Sequence, residues 1–375
     1  MHKNKINIIF FLPSFTKGGA AYSILKLCKN LDKKFFKISI LCLGKCEVKN
    51  DLKGYVNEII ELKVDKVLKT YFHLNQIIKK IYKKNKSKTI FISNHHYSNV
   101  ISILSLKRFT DLRIILTERT SIQQLKIYYG FFDSLKKFLI SILVKFTYRY
   151  ADLVIANSKR EANDISTYCN CNTKYIYPPS FKRYFNHKKK QNLKKNKWNI
   201  LTVGSLAKEK GIDTIIKALE TIKYNNFQFD ILGKSYSKKE NEKDYLNHMI
   251  KNSGLEKKIK IHGFKKNLSK YYQKADLYIN SSHIEGFSTA IIDAINYNLP
   301  IICSDCRGGN REITLNGQGG DLFQVGNHFD LKKKIVGFFK NPKILLKKNQ
   351  KAKKFIKFYS EKNNKDKYEK IFKKI

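Results

Sequence analysis

The chain has 375 residues, 42% of them hydrophobic, which is enough for packed cores and excludes global disorder; the length suits two domains rather than one small core. A formal net charge of +45 invites a nucleic-acid partner, but only eight of the 75 basic residues are Arg, whose planar fork sequence-reading proteins favour. We therefore expect no nucleic-acid partner, and read the Lys as a composition-biased solvated surface that also suits an anionic membrane, where each basic residue is worth about 1 kcal/mol.

In chain order, Ile6–Leu12 reads as a buried strand of a parallel sheet. It is too short for a signal peptide and ends in Pro13 and Gly18-Gly19 rather than a small-residue cleavage site, so a cytoplasmic protein is expected. A helix over Ala20–Leu31 follows, then strands near Lys37–Leu43, Lys88–Ser93, Leu112–Thr117, Asp152–Asn157 and Tyr175–Tyr177, with helical stretches between. Within them, Phe131–Tyr150 is amphipathic and basic, a pattern that serves core packing with snorkelling Lys or a bilayer surface. Pro178-Pro179 closes this unit, and Lys/Asn-rich residues 181–197 read as a linker. A second series runs through Trp198–Val203, Phe229–Leu232, Ile259–His262, Leu277–Asn280, Pro300–Cys303 and Asp321–Gln324. The last segment, Lys351–Ile375, reads as one Lys-rich amphipathic helix with Phe355, Phe358, Tyr359, Tyr368 and Phe372 as contacts. No uncharged apolar run reaches the ~18 residues of a membrane span. The expected domains are thus 1–180, 198–350 and a basic C-terminal helix 351–375, flanking the linker.

Alternating strands and helices imply α/β architecture: two doubly wound parallel sheets, whose ligand loops follow the carboxyl ends of the strands. Several such loops carry chemistry. Gly204-Ser-Leu-Ala-Lys-Glu-Lys-Gly211 offers a Gly turn for close backbone approach and Lys210 as a compact charge for a diphosphate. It lacks the Walker spacing, and a turn with one solvated Lys is the plainer alternative. Glu285-Gly-Phe-Ser-Thr-Ala-Ile-Ile-Asp293 places one acid in a turn and a second eight residues on, in an apolar helix. At about 3.6 residues per turn the two share a face if both are helical. A first helical turn of Phe287-Ser288-Thr289 would present free N–H groups to a diphosphate, with Asp293 able to accept from ribose hydroxyls. A capped amphipathic helix accounts for the same spacing.

Other signals are weaker. Gly18-Gly19 permits close ligand approach after the first strand. Thr117-Glu-Arg-Thr120 offers a Glu–Arg pair that is a ligand contact or a structural ion pair. His95 and His96 lack a third metal ligand at useful spacing. Arg307 and Arg311 border a Gly-Gly loop after Pro300–Cys303, as ligand contacts or surface residues. The seven Cys, including the lone Cys303-Ser-Asp-Cys306, read as reduced core thiols.

Together these residues resemble the retaining glycosyltransferases of family four, which have the GT-B fold: two Rossmann-like domains facing across a cleft. The resemblance rests on Val203-Gly-Ser-Leu-Ala-Lys-Glu-Lys-Gly211, Ser282-His-Ile-Glu-Gly-Phe-Ser-Thr-Ala-Ile-Ile-Asp-Ala294, Leu299-Pro-Ile-Ile-Cys-Ser-Asp305 and Gly308-Gly-Asn-Arg-Glu-Ile313. Gly18-Gly19 and Ala151-Asp-Leu-Val-Ile-Ala-Asn-Ser158 are similar to first-domain segments. It implies Glu285 at the donor sugar, Lys210 at the diphosphate, Asp293 at the ribose, and Gly204, Ser205 and the backbone of Gly286, Phe287, Ser288 and Thr289 around the donor, with Gly18 and Gly19 closing from the opposite domain.

Departures are Asp293 where Glu is usual, Ser205 where Arg is frequent, Asn298 for a frequent Gly, and Arg119 where His often stands, which leaves Arg119 as the sugar-side residue. The implied reaction moves a hexose or N-acetylhexosamine from a nucleotide sugar, UDP-linked by resemblance, with retention and without a metal or other cofactor. The expected acceptor is lipid-linked or a glycan in bacterial surface-polysaccharide biosynthesis, at the inner face of the cytoplasmic membrane. The alternatives are a non-catalytic relative of the same fold that binds anionic lipid or glycan, a charge-driven nucleic-acid binder, and a sugar-nucleotide epimerase.

Overall fold

The computed structural model describes residues 5–16, 18–84, 88–126, 131–185, 197–222, 226–235 and 241–375. The chain forms two compact units, Met1–Pro179 with Tyr359–Ile375, and Ser180–Phe358.

The first unit is built on a seven-stranded sheet of β1 (Ile6–Phe11), β2 (Phe36–Cys42), β3 (Glu58–Glu61), β4 (Thr89–Asn94), β5 (Leu112–Glu118), β6 (Leu153–Ala156) and β7 (Thr173–Tyr175). Its order is β3-β2-β1-β4-β5-β6-β7, and every pairing is parallel. Successive side chains of β1 enter opposite layers: Ile8 and Phe10 join one buried cluster, Ile9 and Phe11 the other. Burial on both faces is why the strand reads as an unbroken apolar run from Ile8 onward, after the buried Asn7. The sequence pattern misses β3, whose Glu-Ile-Ile-Glu has two apolar residues between charges, as an edge strand allows. It also places β7 two residues too late.

The second unit has a six-stranded sheet of β8 (Trp198–Val203), β9 (Phe227–Leu232), β10 (Ile259–Ile261), β11 (Leu277–Asn280), β12 (Ile301–Ser304) and β13 (Asp321–Phe323). Its order is β10-β9-β8-β11-β12-β13, again all parallel. The order reverses direction between β8 and β11, the switch point at which such sheets bind ligands. Part of the expected linker belongs to this unit. Phe181 is buried, and Phe185 donates its N–H to Asn296 Oδ1 at 3.0 Å. Residues 186–196 lie outside the described part of the chain.

The C-terminal segment differs from the expected single helix. A helix over Pro342–Phe355 passes into a 3-10 turn, Ile356–Tyr359, before a new helix, Glu361–Lys374. Ser360 starts that helix by accepting a hydrogen bond from Asn363 N at 3.2 Å, a favoured N-cap interaction. The new helix is not a free appendage: Tyr368, Ile371 and Phe372 are buried in the first unit's core, with Phe372 edge-on to Phe36 at 5.8 Å. Phe355 and Phe358, by contrast, are exposed.

Among the described residues, no helix is long and apolar enough to cross a membrane. All seven Cys are unbridged, and six of them are buried.

Candidate active site

In the second unit, three loops at the carboxyl ends of β8, β11 and β12 are stitched together. After β8 the chain turns through the 3-10 segment Lys208–Lys210 and reaches Gly211, then the helix Ile212–Glu220. Gly211 has φ +57, and a Cβ there would lie 2.4 Å from Ser281 O, so only glycine lets this loop meet the one after β11. The two loops are joined by Ser281 Oγ donating to Lys210 O (3.0 Å) and His283 N donating to Glu209 O (2.8 Å).

The loop after β12 closes the other side. Gly308 has φ +116, and a Cβ would fall 1.6 Å from Glu285 O. Gly309 N donates to Gly286 O at 3.0 Å, and Ser304 Oγ to Ser282 O at 2.5 Å. Asn310 Nδ2, fully buried, reaches Asn280 Oδ1, Ser304 O and Cys306 Sγ.

These constraints bring Lys210 and Glu285 together. Lys210 Nζ donates to Glu285 Oε2 at 2.8 Å, and Ser282 Oγ donates to the same oxygen at 3.1 Å. The side chains are 23% and 14% exposed, so the pair is mostly withdrawn from water yet reachable. Burial acts to lower the Lys210 ammonium pKa, but the Glu285 carboxylate overrides it and holds the group above its ordinary value. Tyr278 of β11 is fully buried, its hydroxyl donating to Val203 O at 3.3 Å. Burial pushes this phenol well up, opposed by that hydrogen bond and reinforced by Glu285 and then Asp293. An ammonium and a carboxylate clamped between Gly-rich backbone segments at a switch point suit a ligand carrying both a diphosphate and hydroxyl groups.

The family model described as Glycosyltransferase Family 4 matches residues 17–179, and that described as Glycosyl transferases group 1 matches residues 184–357. The chain is a family four glycosyltransferase. Over 258 residues, 68% of each chain, it is 27% identical to the N-acetylgalactosamine-N,N'-diacetylbacillosaminyl-diphospho-undecaprenol 4-alpha-N-acetylgalactosaminyltransferase of Campylobacter jejuni. It is 24% identical over 174 residues to the poly(glycerol-phosphate) alpha-glucosyltransferase of Bacillus subtilis, covering 46% of this chain and 25% of that relative. Among solved structures, Anabaena Alr3699/HepE in complex with UDP superposes with a TM-score of 0.78 at 16% identity, over 99% of this chain and 100% of that one. The sucrose-phosphate synthase of Thermosynechococcus elongatus gives 0.80 at 16% identity, over 99% of both chains. These likenesses establish the GT-B fold.

The residues picked from the transferase's sequence fall into both units. Lys210, Glu285, Gly204, Ser205 and the Gly286–Asp293 segment lie in the second; Gly18, Gly19 and Arg119 lie in the first. Glu285 is not helical, so its spacing from Asp293 does not place the two on one helical face. The helix runs Thr289–Asn296 with Ser288 as N-cap, which leaves Phe287 before it, its ring against Gly309. Asp293 is half-buried in that helix. Arg311 pairs with Asp305, and Arg307 is exposed, its carbonyl near Glu285 N at 3.5 Å.

In the first unit, Gly18 is the extended N-cap of the helix Gly19–Asn30, and a Cβ at Gly19 would meet nothing within 4 Å. Internal packing therefore gives no reason for glycine at Gly19. Arg119 does not pair with Glu118. Its Nε donates to Asn94 Oδ1 at 2.7 Å, and burial lowers its pKa, with Tyr368 acting in the opposite sense. Glu118 instead turns into the core, 2.9 Å from His96 Nδ1, and accepts from Asn99 Nδ2 and the Tyr148 hydroxyl. A buried carboxylate needs such partners, which a solvated Arg–Glu pair would not supply.

Ser282 opens the family-like segment but carries no predicted role. A hydroxyl three residues before an acid in a loop is a short-range donor signal, and it marks Ser282 as the residue that orients Glu285. Tyr278 left no signal, because a strand tyrosine reads as core.

Proposed function

We propose that the transferase moves a hexose or N-acetylhexosamine from a UDP-sugar, with retention, onto a lipid-linked or glycan acceptor of bacterial surface-polysaccharide biosynthesis. The observation that carries this reading is the Lys210–Glu285 pair, held at 2.8 Å at the switch point of the second sheet. Lys210 takes the diphosphate, Glu285 faces the sugar, and Asp293 serves the ribose. Gly204, Ser205 and the backbone from Gly286 to Thr289 approach the phosphates. Gly18 and Gly19 leave room for a ligand, and Arg119 is kept as a sugar-side residue.

In this reading the leaving diphosphate accepts the proton of the incoming hydroxyl. The protein contributes charge stabilisation by Lys210 and orientation by Glu285 and Ser282, with no resident metal. The Campylobacter relative's name specifies a diphospho-undecaprenol acceptor, and Alr3699/HepE is described in complex with UDP. Both favour a UDP donor and a lipid-linked acceptor here.

The acceptor's setting is supported by the helix Phe131–Thr147. One side is buried through Ile140, Val144 and Thr147, while Phe132 is 85% exposed and Leu135, Phe138, Leu139 and Phe146 are about half exposed. Lys136, Lys145 and Arg149 are exposed on or beside that apolar face. Its acid, Asp133, is paired with Lys137 at 2.7 Å. An apolar, cationic face fits the headgroup region of an anionic bilayer, and we assign the protein to the inner membrane surface on that basis.

The test is turnover with UDP-sugars in the presence of a chelator, for wild type, Glu285→Ala and Lys210→Ala. Retained product stereochemistry and losses of at least ~10²-fold in both variants are expected. Wild-type turnover by either variant removes the assignment. For membrane contact, sedimentation with phosphatidylglycerol vesicles should be lost in Phe132→Ser/Phe138→Ser/Phe146→Ser while donor turnover in solution persists.

A further inference from the structure

A charged cavity lies entirely within the first unit. It measures about 800 Å³ and opens between the edge strand β7, the helix Lys159–Cys169 and the C-terminal helix Glu361–Lys374. Five Lys line it: Lys159, Lys174, Lys367, Lys370 and Lys374. The one acidic side chain in the lining, Asp152, is already engaged, by Arg113 at 3.1 Å and by the N–H of Ile114 at 2.8 Å.

The C-terminal helix sorts its lysines by face. Lys365 lies 3.5 Å from Asp366 and from Glu369, and Lys373 lies 3.7 Å from Glu369, so that side is neutralised. Lys367, Lys370 and Lys374, spaced three and four residues apart, share the face toward the cavity. Neither they nor Lys174, across the cavity, have a carboxylate within 4 Å among the described residues. Lys367 is positioned further: its ammonium sits 5.1 Å from the Tyr175 ring and 5.4 Å from the Tyr177 ring. Burial also lowers the pKa of this ammonium, as expected of a cation partly removed from water.

Bare cations crowded on one wall repel each other, and a compact multivalent anion relieves that repulsion. Lys is a point-charge phosphate binder, whereas planar carboxylates are better served by Arg, and no Arg lines this cavity. The volume exceeds what a single phosphate fills and suits a small ligand with an attached group. We infer that this cavity is a binding site for a diphosphate, distinct from the Lys210–Glu285 site. The diphosphate is free in solution or carried on an organic group, and the chemistry recognised is the same.

Isothermal titration of the full chain with inorganic diphosphate and with geranyl diphosphate tests this at low ionic strength. Lys367→Gln/Lys370→Gln/Lys374→Gln should weaken binding by at least roughly tenfold. A control triple on the second unit, Lys333→Gln/Lys340→Gln/Lys347→Gln, carries the same charge change at exposed positions and should leave affinity within about twofold. Unchanged hydrogen exchange in β1 and β2 of the cavity triple verifies that the first unit's fold survives. Should it not, Lys370→Gln alone, at an exposed position, is expected to weaken binding by about threefold. Equal affinities for the two ligands indicate a free diphosphate; tighter geranyl diphosphate binding indicates an organic carrier. No binding to wild type, equal weakening by the control, or binding that survives in the cavity triple and vanishes in Lys210→Ala would each overturn the inference.

Discussion

Replacing Lys210 by Met and Glu285 by Gln, singly and together, isolates the energy of the pair on which the proposed reaction depends. Two unit charges 2.8 Å apart attract by about 6 kcal/mol at an effective dielectric constant of ~20. Desolvation of both ions offsets much of that, and residual exposure of 23% and 14% adds screening, so a net coupling of about 1–3 kcal/mol is expected. Each single variant strands its partner and should lose about 2–4 kcal/mol, with the double losing less than the sum. The chain's single Trp, Trp198 in β8, reports the second unit's unfolding in denaturant titrations of the four proteins.

The pH window follows from the sign of the shift. The Lys210 pKa is raised above 10.5, because Glu285 outweighs the burial that opposes it. The contribution is therefore fully present below 10.5 and fades only as pH rises through the folded-state value. Coupling measured between pH 7 and 9 should be constant. In turnover assays each single variant should fall by at least ~10²-fold in kcat/KM, and the double should not multiply the losses. A coupling below about 0.5 kcal/mol, or unchanged kcat/KM in either single variant, refutes the reasoning.

Other sites give independent tests. Gly308→Ala puts a Cβ 1.6 Å from Glu285 O at a φ of +116, so Glu285 must move; a stability loss of at least about 2 kcal/mol on the Trp198 signal and a roughly 10²-fold drop in kcat/KM are expected. Glu161 is buried and its pKa is pushed up to about 7 by desolvation, against the Ile122 N–H that it accepts at 2.7 Å. Its neutral form favours the fold below the ordinary value of 4.5, and that advantage is lost as pH rises through about 7. Glu161→Gln should therefore be more stable than wild type at pH 8 by up to about 3 kcal/mol and flatten the decline, read by thermal melts across pH 5–8. Phe372→Ala empties a fully buried position and should cost about 3–5 kcal/mol in the first unit, seen as faster hydrogen exchange in β1 and β2 with the Trp198 transition unchanged.

The legible parts of the fold were those where one physical signal dominates. β1, β4, β5, β8 and β11 are largely buried, and each carries a short apolar stretch, such as Ile90-Phe91-Ile92 in β4 and Ile114-Ile115-Leu116 in β5. β3 is half-exposed at a sheet edge, and its two isoleucines between glutamates are too short a signal. The end of the chain misled because Lys-rich amphipathic periodicity continues through Ser360; the break there is set by a side-chain cap and by which core the next helix joins. In the site, Lys210 and Glu285 were findable because each stands in a loop after a buried strand. Their 2.8 Å approach was not, since 75 positions separate them. The Glu118–Arg119 pairing failed for the opposite reason: neighbours on a strand end point to opposite sides, and Glu118 found His96 in the core.

Sequence alone determined that this is an α/β chain with two parallel sheets and ligand loops at their carboxyl ends, because burial period and glycine placement are local properties of the residues. Only tertiary structure decided which charges neutralise each other and which stay bare. Ion pairing depends on distances of a few ångströms between segments far apart in the chain. For the same reason it took the folded first unit to show Lys367, Lys370 and Lys374 on an unneutralised wall while Lys365 and Lys373, on the same helix, are matched by acids.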